Sequence, residues 1–390
     1  MYSVTIAKSI NEIEKATWDA LATKDIYTSY GWLKTVEETY LGLIHPRYVL
    51  VWCSSELVGG TICEIFSKAD NVLTIDSLLF GRLKKVVNKI GISFLPAFIC
   101  CPFRGHGTHF IIKKELEVRE RERVMEHLLD AVETYAADHK LSVFFHNVLN
   151  NEASLIQFLH KKDYTATQGY PITYLDTKWS SLSEYKAYIR RTISKNMAKC
   201  ISREINKNRK AGVIIQELEK PEEYEERCHE LFTNNYWKYN RLPFPFKKEF
   251  LRKLKENLGK EVTIYAAFKK GTLIGVNILL ARDSIAYLPS IGIDHCMALN
   301  DFTYYNMTFY RPIIDCFSRG IRRFYLGNAM YTLKMRRGGK IAGVHVFYKP
   351  YHKTTAITVK PWFMLHSFWM LKKLDPGIRK NIRCSINDVT

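Results

Sequence analysis

Residue types able to do chemistry gather in the stretch 321–340, IRRFYLGNAMYTLKMRRGGK. Three cations, Lys334, Arg336 and Arg337, follow a short apolar run, Phe324-Tyr325-Leu326, that stops on Gly327. The pattern predicts a buried strand ending in an exposed cationic loop, which is where an open α/β sheet keeps its chemistry. A cation held there would stabilise an oxygen that turns negative as a carbonyl is attacked. The loop is therefore read as receiving the carbonyl end of an activated acyl group. The alternative is a solvated basic turn, since Lys and Arg mostly face water.

The elements that must position this loop recur along the chain. Residues 301–319 predict an aromatic helix closed by Gly320, with Pro312 bending it or ending its first half. Ahead of it come helices at 222–239 and 247–258, a hairpin of 262–268 and 273–281 around Lys269-Lys270-Gly271-Thr272, and a strand at 285–293. The first half has the same order. Helices at 11–21 and 31–40 precede a hairpin of 47–53 and 57–65, with Ser54-Ser55-Glu56 as the turn. Apolar runs at 73–80 and 94–101, a charged helix at 115–139, a strand at 142–146 and a helix at 151–160 follow. VLVWCSSELVG (49–59) lies over YAAFKKGTLIG (265–275) without a gap, Trp52 over Phe268 and Gly59 over Gly275. Two related α+β lobes meeting at a cleft are expected, with chance similarity of two hairpins as the alternative.

Between the halves, Arg191, Lys195, Lys199, Arg203 and Lys207 recur every fourth residue. Ile189, Ile193, Met197, Ile201 and Ile205 do the same, shifted by two. On one helix the two rows stand about 200° apart, one face apolar and the other cationic. Like charges at this spacing repel, which is understandable if a polyanion lies along them. A solvated surface helix is the alternative. Glu204 is the single acid between Lys186 and Lys210.

Composition bounds the possibilities. At 390 residues the chain is long enough for two domains, and 58 Lys and Arg against 39 Asp and Glu leave a net charge of +19. Such a surplus points to nucleic acid, an anionic membrane or phosphorylated substrates, or else serves solubility. The nine cysteines show no CxxC pairing, which suggests free thiols in a reducing compartment. No signal-peptide pattern opens the sequence, and no apolar run reaches the roughly 18 residues that span a bilayer. The run 361–371, PWFMLHSFWML, is expected to pack as a terminal helix, with at most peripheral membrane contact as the alternative. A cytoplasmic location is expected. Cys100, Cys101, His106 and His109 do not have zinc-ligand spacing, so no metal is expected. Nucleophile elbow, phosphate-loop and dinucleotide motifs are absent from the sequence.

Taken in order, a hairpin, a strand, an aromatic helix, a strand ending FYLG and then YTLKMRRGG resemble the GNAT acyltransferase core. Its duplicated form resembles the Fem-type aminoacyltransferases and their peptidoglycan biosynthesis/recognition relatives. The resemblance implies an α+β fold of two tandem GNAT-like lobes, each a mixed, mostly antiparallel sheet flanked by helices. The expected division is an N-terminal lobe at 1–180, a linking basic helix at 181–212, a C-terminal lobe at 213–360 and a basic, aromatic tail at 361–390. The implied reaction moves an aminoacyl group from aminoacyl-tRNA to an amine, on a small molecule or a peptide, without a tightly bound cofactor. Lys334 takes the place of the family's lysine near the donor's carbonyl or ribose ester, although Leu333 stands where an aromatic is frequent. Arg336 and Arg337 are expected to hold phosphate, and the row from Arg191 to Lys207 to meet tRNA.

One departure matters. Coenzyme A–dependent GNAT proteins open the helix after the fourth strand with a basic, glycine-rich loop. Here that junction is IGIDHCMALNDFTYYN, with Asn300 or Asp301 as the cap. Arg104-Gly105-His106-Gly107 in the first half has glycine spacing, most simply a turn, and Arg104 is kept as a substrate-binding candidate. An acyl-CoA or acyl-carrier-protein donor is the rival, and a non-catalytic protein that binds envelope precursors or nucleic acid is a third reading. Freeing the acceptor amine needs a base. Asp294 is the candidate, with His295 as its alternative and loop capping as the bland role. Tyr304, Tyr305 and Tyr331 are expected to line the pocket, or to be core. The stretch 232–246, which includes Trp237, is expected to wall the acceptor side.

Overall fold

A computed structural model describes residues 1–22, 25–42, 44–67, 75–89, 93–102, 105–351 and 353–373. Sixteen strands run along the described residues. They are β1 Tyr2–Ala7, β2 Pro46–Cys53, β3 Glu56–Phe66, β4 Ala97–Cys100, β5 Phe110–Ile112, β6 Ser142–Leu149, β7 Thr165–Gln168 and β8 Ile172–Asp176, then β9 Val213–Glu217, β10 Val262–Lys269, β11 Thr272–Arg282, β12 Ile285–Tyr287, β13 Ile291–Ile293, β14 Arg323–Gly327, β15 Lys340–Ala342 and β16 Val344–Lys349. They form two sheets of eight, each in its own compact unit. Unit 1 holds β1-β2-β3-β4-β6-β16-β7, with β5 on β3, and unit 2 holds β15-β8-β14-β12-β11-β10-β9, with β13 on β11. Each sheet contains one parallel pair among its described strands, β4 with β6 and β12 with β14. The protein is therefore α+β, with two tandem GNAT-like lobes.

The repeat is visible in the backbone. Strands β2 and β3 map onto β10 and β11 end for end, residue 46 over 262 and 66 over 282, an offset of 216. Both hairpins carry a bulge at matching residues, Val51/Trp52 and Ala267/Phe268. Both turn through a matching left-handed residue, Ser54 and Lys270. Matching glycines also lie under the covering helix. A Cβ at Gly59 would stand 2.4 Å from Val124 Cγ1, and one at Gly275 2.6 Å from Met307 Sδ. β3 and β11 are buried almost throughout, as expected of strands covered on both faces. Val51, Val58, Phe98, Leu128 and Phe145 centre one core, and Ile274, Leu279, Phe309 and Phe324 the other.

Several boundaries differ from those expected. Unit 1 comprises Met1–Pro171 and Gly343–Thr390, and unit 2 comprises Ile172–Ala342. Strand pairing explains this: β8 joins β14 and β15 of the second sheet, while β16 inserts between β6 and β7 of the first. The single linking helix is two helices within unit 2, Leu182–Thr192 and Lys195–Lys210, because Ser194 caps the second by accepting from Met197 N. The strand expected at 285–293 is two strands, both pairing with β11. The run 73–80 yields a helix, Ile75–Phe80. The tail is helical from Lys353 to Lys373.

Candidate active site

The site grows from the end of β14. Tyr325 on this strand stacks on Tyr287 of β12, ring centres 4.9 Å apart. Gly327 closes the strand in the left-handed region, φ +82°. Its carbonyl accepts hydrogen bonds from Thr173 Oγ1 at 2.6 Å and Lys334 Nζ at 3.1 Å. The expected loop is a short helix, Tyr331–Met335, entered through left-handed Met330. That turn carries the Lys334 ammonium inward, and the residue is 4% exposed. Burial pushes its pKa down to about 7, because desolvation penalises the charged form. Lys334 is thus poised between ammonium and amine near neutral pH, and a negative charge placed beside it would restore the proton.

Arg337, expected to hold phosphate, does something else. Its guanidinium meets both oxygens of Glu204 at 2.7 and 2.9 Å, Tyr310 Oη at 3.1 Å and the Leu333 carbonyl at 3.3 Å. Its planar head lies 4.4 Å from the Tyr305 ring centre and 5.1 Å from that of Phe309. Tyr310 also hydrogen-bonds Glu204. Arg337 and Glu204 are both buried, so their donors and acceptors satisfy each other inside the protein. Arg336, one residue earlier, is exposed and retains the phosphate-facing expectation. Gly338 follows at φ +84°, where a Cβ would come within 3.0 Å of Tyr188 and 3.1 Å of Ile189. The helix Leu182–Thr192 can press on the turn for that reason, and its Tyr185 hydroxyl donates to the Arg337 carbonyl at 2.9 Å.

The basic segment is therefore built into the site by residues outside its cationic row. Glu204 reaches Arg337, while Asn208 donates to Asp301 O at 3.0 Å and Thr303 Oγ1 at 3.1 Å. Arg191, Lys195, Lys199, Arg203 and Lys207 all face outward, and Lys207 lies 5.4 Å from the Phe302 ring centre. Of the isoleucine row, Ile189 and Ile201 are buried, whereas Ile193 at the helix break is 42% exposed. Sequence reasoning noticed Glu204 without giving it a task. The signal was there: one acid kept among so many bases implies a buried cation to meet.

Asp294 is a capping residue. Its carboxylate accepts from Cys296 N at 3.1 Å, Met297 N at 3.0 Å and Arg227 at 2.7 Å. The Met297 amide and the Arg227 guanidinium hold its pKa below the usual range against the opposing effect of burial, a poor state for a base at neutral pH. His295 fits that role better. Its Nε2 bonds Asn235 Oδ1 at 3.1 Å, and the Asn235 amide is oriented by donating to Ile291 O at 2.9 Å. Nε2 therefore carries the proton and Nδ1 the lone pair. Burial, assisted by Lys238, lowers the pKa and keeps the ring neutral. The Tyr239 ring lies 6.2 Å from His295. The Tyr304 hydroxyl donates to Met330 Sδ at 3.3 Å, at the entry to the Lys334 turn.

The remaining candidates divide. Tyr305 is half-buried under Arg337, Tyr331 is half-buried at the start of its helix, and Trp237 is 54% exposed. Much of the aromatic segment expected to form a wall is core: Phe232 stacks on Phe244 at 4.9 Å and Phe246 on Phe250 at 4.1 Å. Arg104 lies outside the described residues. Unit 1 contains a cavity of about 800 Å3 lined by Asp25, Thr108, Lys114, Arg121, Glu152 and Lys161 among others, and by none of the candidates above.

Comparison with known proteins places the chain in a family. The FemAB_like family model, described as peptidoglycan biosynthesis/recognition, matches residues 9–373. No curated protein matches the sequence. Among solved structures, FemX superposes with a TM-score of 0.55 at 10% identity, covering 88% of this chain and 96% of its own. The C-terminal domain of a candidate lysylphosphatidylglycerol synthetase from Agrobacterium fabrum gives 0.55 at 10% identity, over 93% and 97%. L-PGS from Bacillus licheniformis gives 0.50 at 10% identity, over 84% and 94%. At such identities the likeness shows the fold alone. The family assignment rests on the match over nearly the whole sequence: this chain belongs to the FemAB_like peptidoglycan biosynthesis/recognition family.

Proposed function

We propose that this Fem-type acyltransferase moves an aminoacyl group from aminoacyl-tRNA to an amine, forming an amide. The observation that carries the reading is the buried ammonium of Lys334 at the end of β14, held by the Gly327 carbonyl. The acceptor nitrogen attacks the ester carbonyl, the carbonyl oxygen becomes negative, and the carbon–oxygen bond to the ribose breaks. Protonated Lys334 would stabilise the oxyanion, a role to which a desolvated cation brings several kcal/mol. The amine proton would leave through His295 Nδ1 and end on the departing ribose oxygen.

The outward row Arg191, Lys195, Lys199, Arg203 and Lys207 favours a polyanionic donor, because the helix that carries Lys195 to Lys207 is tied to the same turn through Glu204 and Arg337. Phosphate contacts of this kind supply affinity without sequence readout. The test is a transfer assay with charged tRNA, with and without ribonuclease. Product formation abolished by ribonuclease is the expected result. Turnover that survives ribonuclease, or that acyl-CoA or acyl-carrier protein supports equally well, would overturn the donor assignment.

A further inference from the structure

We propose that the outward face of the Lys353–Lys373 helix docks the protein onto an anionic lipid surface. Its inward face is complete without help, burying Val359, Phe363, His366 and Met370. Thr167 Oγ1 on β7 donates to the Phe363 carbonyl at 3.1 Å and contacts His366 Nδ1 at 3.1 Å and Ser367 Oγ at 2.9 Å. Gln168 N donates to Ser367 Oγ at 3.0 Å. These bonds fix the helix about its own axis, so it cannot turn to hide what lies on the other side.

The other side is apolar. Met364 and Phe368 are 74% and 61% exposed, and Leu365 and Trp369 stand beside them at 40% and 39%. Exposed Lys360 lies one turn before this patch and exposed Lys372 one turn after it. Large aliphatic and aromatic side chains between flanking lysines are the composition of helices lying in a bilayer interface, where rings sit among headgroups and ammonium groups reach phosphate. No helix of the described residues is long and apolar enough to cross a membrane, so the arrangement suits lying on a surface.

Charge selects the occupant. From 353 to 383 the sequence has seven cations, Lys353, Lys360, Lys372, Lys373, Arg379, Lys380 and Arg383, against Asp375 alone. A second copy meeting this face across a two-fold axis would set those charges against themselves. Anionic headgroups would neutralise them, and the net charge of +19 adds long-range attraction.

Sedimentation of the full chain with phosphatidylcholine vesicles, with or without phosphatidylglycerol, tests the proposal and does not depend on the acyl donor. Phosphatidylglycerol vesicles should bind the protein, less so as salt rises, and Met364→Glu with Phe368→Glu should weaken binding about tenfold or more. If that pair disturbs folding, Lys360→Ser with Lys372→Ser should lower binding at an unchanged unfolding temperature. Absence of binding to phosphatidylglycerol vesicles, equal binding to neutral ones, or undiminished binding by the folded variants would each overturn it. So would a wild-type dimer that the glutamate pair converts to monomers in the ultracentrifuge.

Discussion

The two units share a hairpin down to its bulge and differ most in the helix laid over it. In unit 1 that helix is one unbroken span, Val118–Asp138, opened by a capping box between Glu117 and Glu120. In unit 2 it has three parts: Thr303–Tyr305, a wide π turn at Asn306–Tyr310, and Arg311–Ser318. Pro312 supplies a reason, because its ring would clash with the Thr308 carbonyl in a regular helix and it has no N–H to donate. The widened turn carries Tyr310 to the Glu204–Arg337 pair, and Tyr305 just before it lies under the Arg337 guanidinium. The lesson is that the duplicated strands were kept as scaffold while the irregular copy gathered the interacting polar groups, as π turns often do at functional sites.

The sharpest way to break this comparison is to remove Lys334. Lys334→Ala should lower kcat/KM about 100-fold or more if the ammonium meets an oxyanion, and steady-state transfer kinetics would show it. In the wild type kcat/KM should fall as pH rises through about 7, where Lys334 loses its proton; a profile that rises there would make it a base instead. Stability should behave oppositely. The folded state binds fewer protons than the unfolded chain between about pH 7 and the ordinary lysine value, so stability rises with pH across that window. In Lys334→Met that rise should shrink, as chemical denaturation at several pH values would measure.

Next in size is the buried pair. Glu204→Gln leaves Arg337 charged and unmatched, and should cost about 3–5 kcal/mol in denaturant unfolding, with far less lost when Arg337→Met is added. Reversing three outward cations, Lys195→Glu, Lys199→Glu and Arg203→Glu, should raise KM for charged tRNA about tenfold with kcat nearly kept, and flatten its salt dependence. The smallest effect compares equivalent glycines. Gly59→Ala and Gly275→Ala should each destabilise by about 1–3 kcal/mol, the first more, since branched Val124 yields less readily than the Met307 thioether.

The hairpins were legible in the sequence because apolar runs and polar turns are local signals, and the offset of 216 fixed their ends together. Lys334 was legible as a cation past a strand, but its burial was not, since that depends on a turn of helix entered through Met330. Arg337 was misread because its partner is 133 residues away. Asp294 had a local signature, a short acid able to accept from the amides two and three residues on, and capping was the simpler inference. The strand boundaries at 172–176 and 344–349 could not be read, because edge and centre positions in a sheet are decided by partners far along the chain.

That placement of β16 has a consequence for the making of the protein. A nascent chain cut after residue 171 has β6 and β7 but not the strand that joins them, so each would face solvent with a bare row of amides and carbonyls. Synthesis must run through residue 349 before the first sheet can close. The N-terminal half is then no natural unit for truncation, and a ribosome stalled before residue 344 should hold the first sheet unfinished.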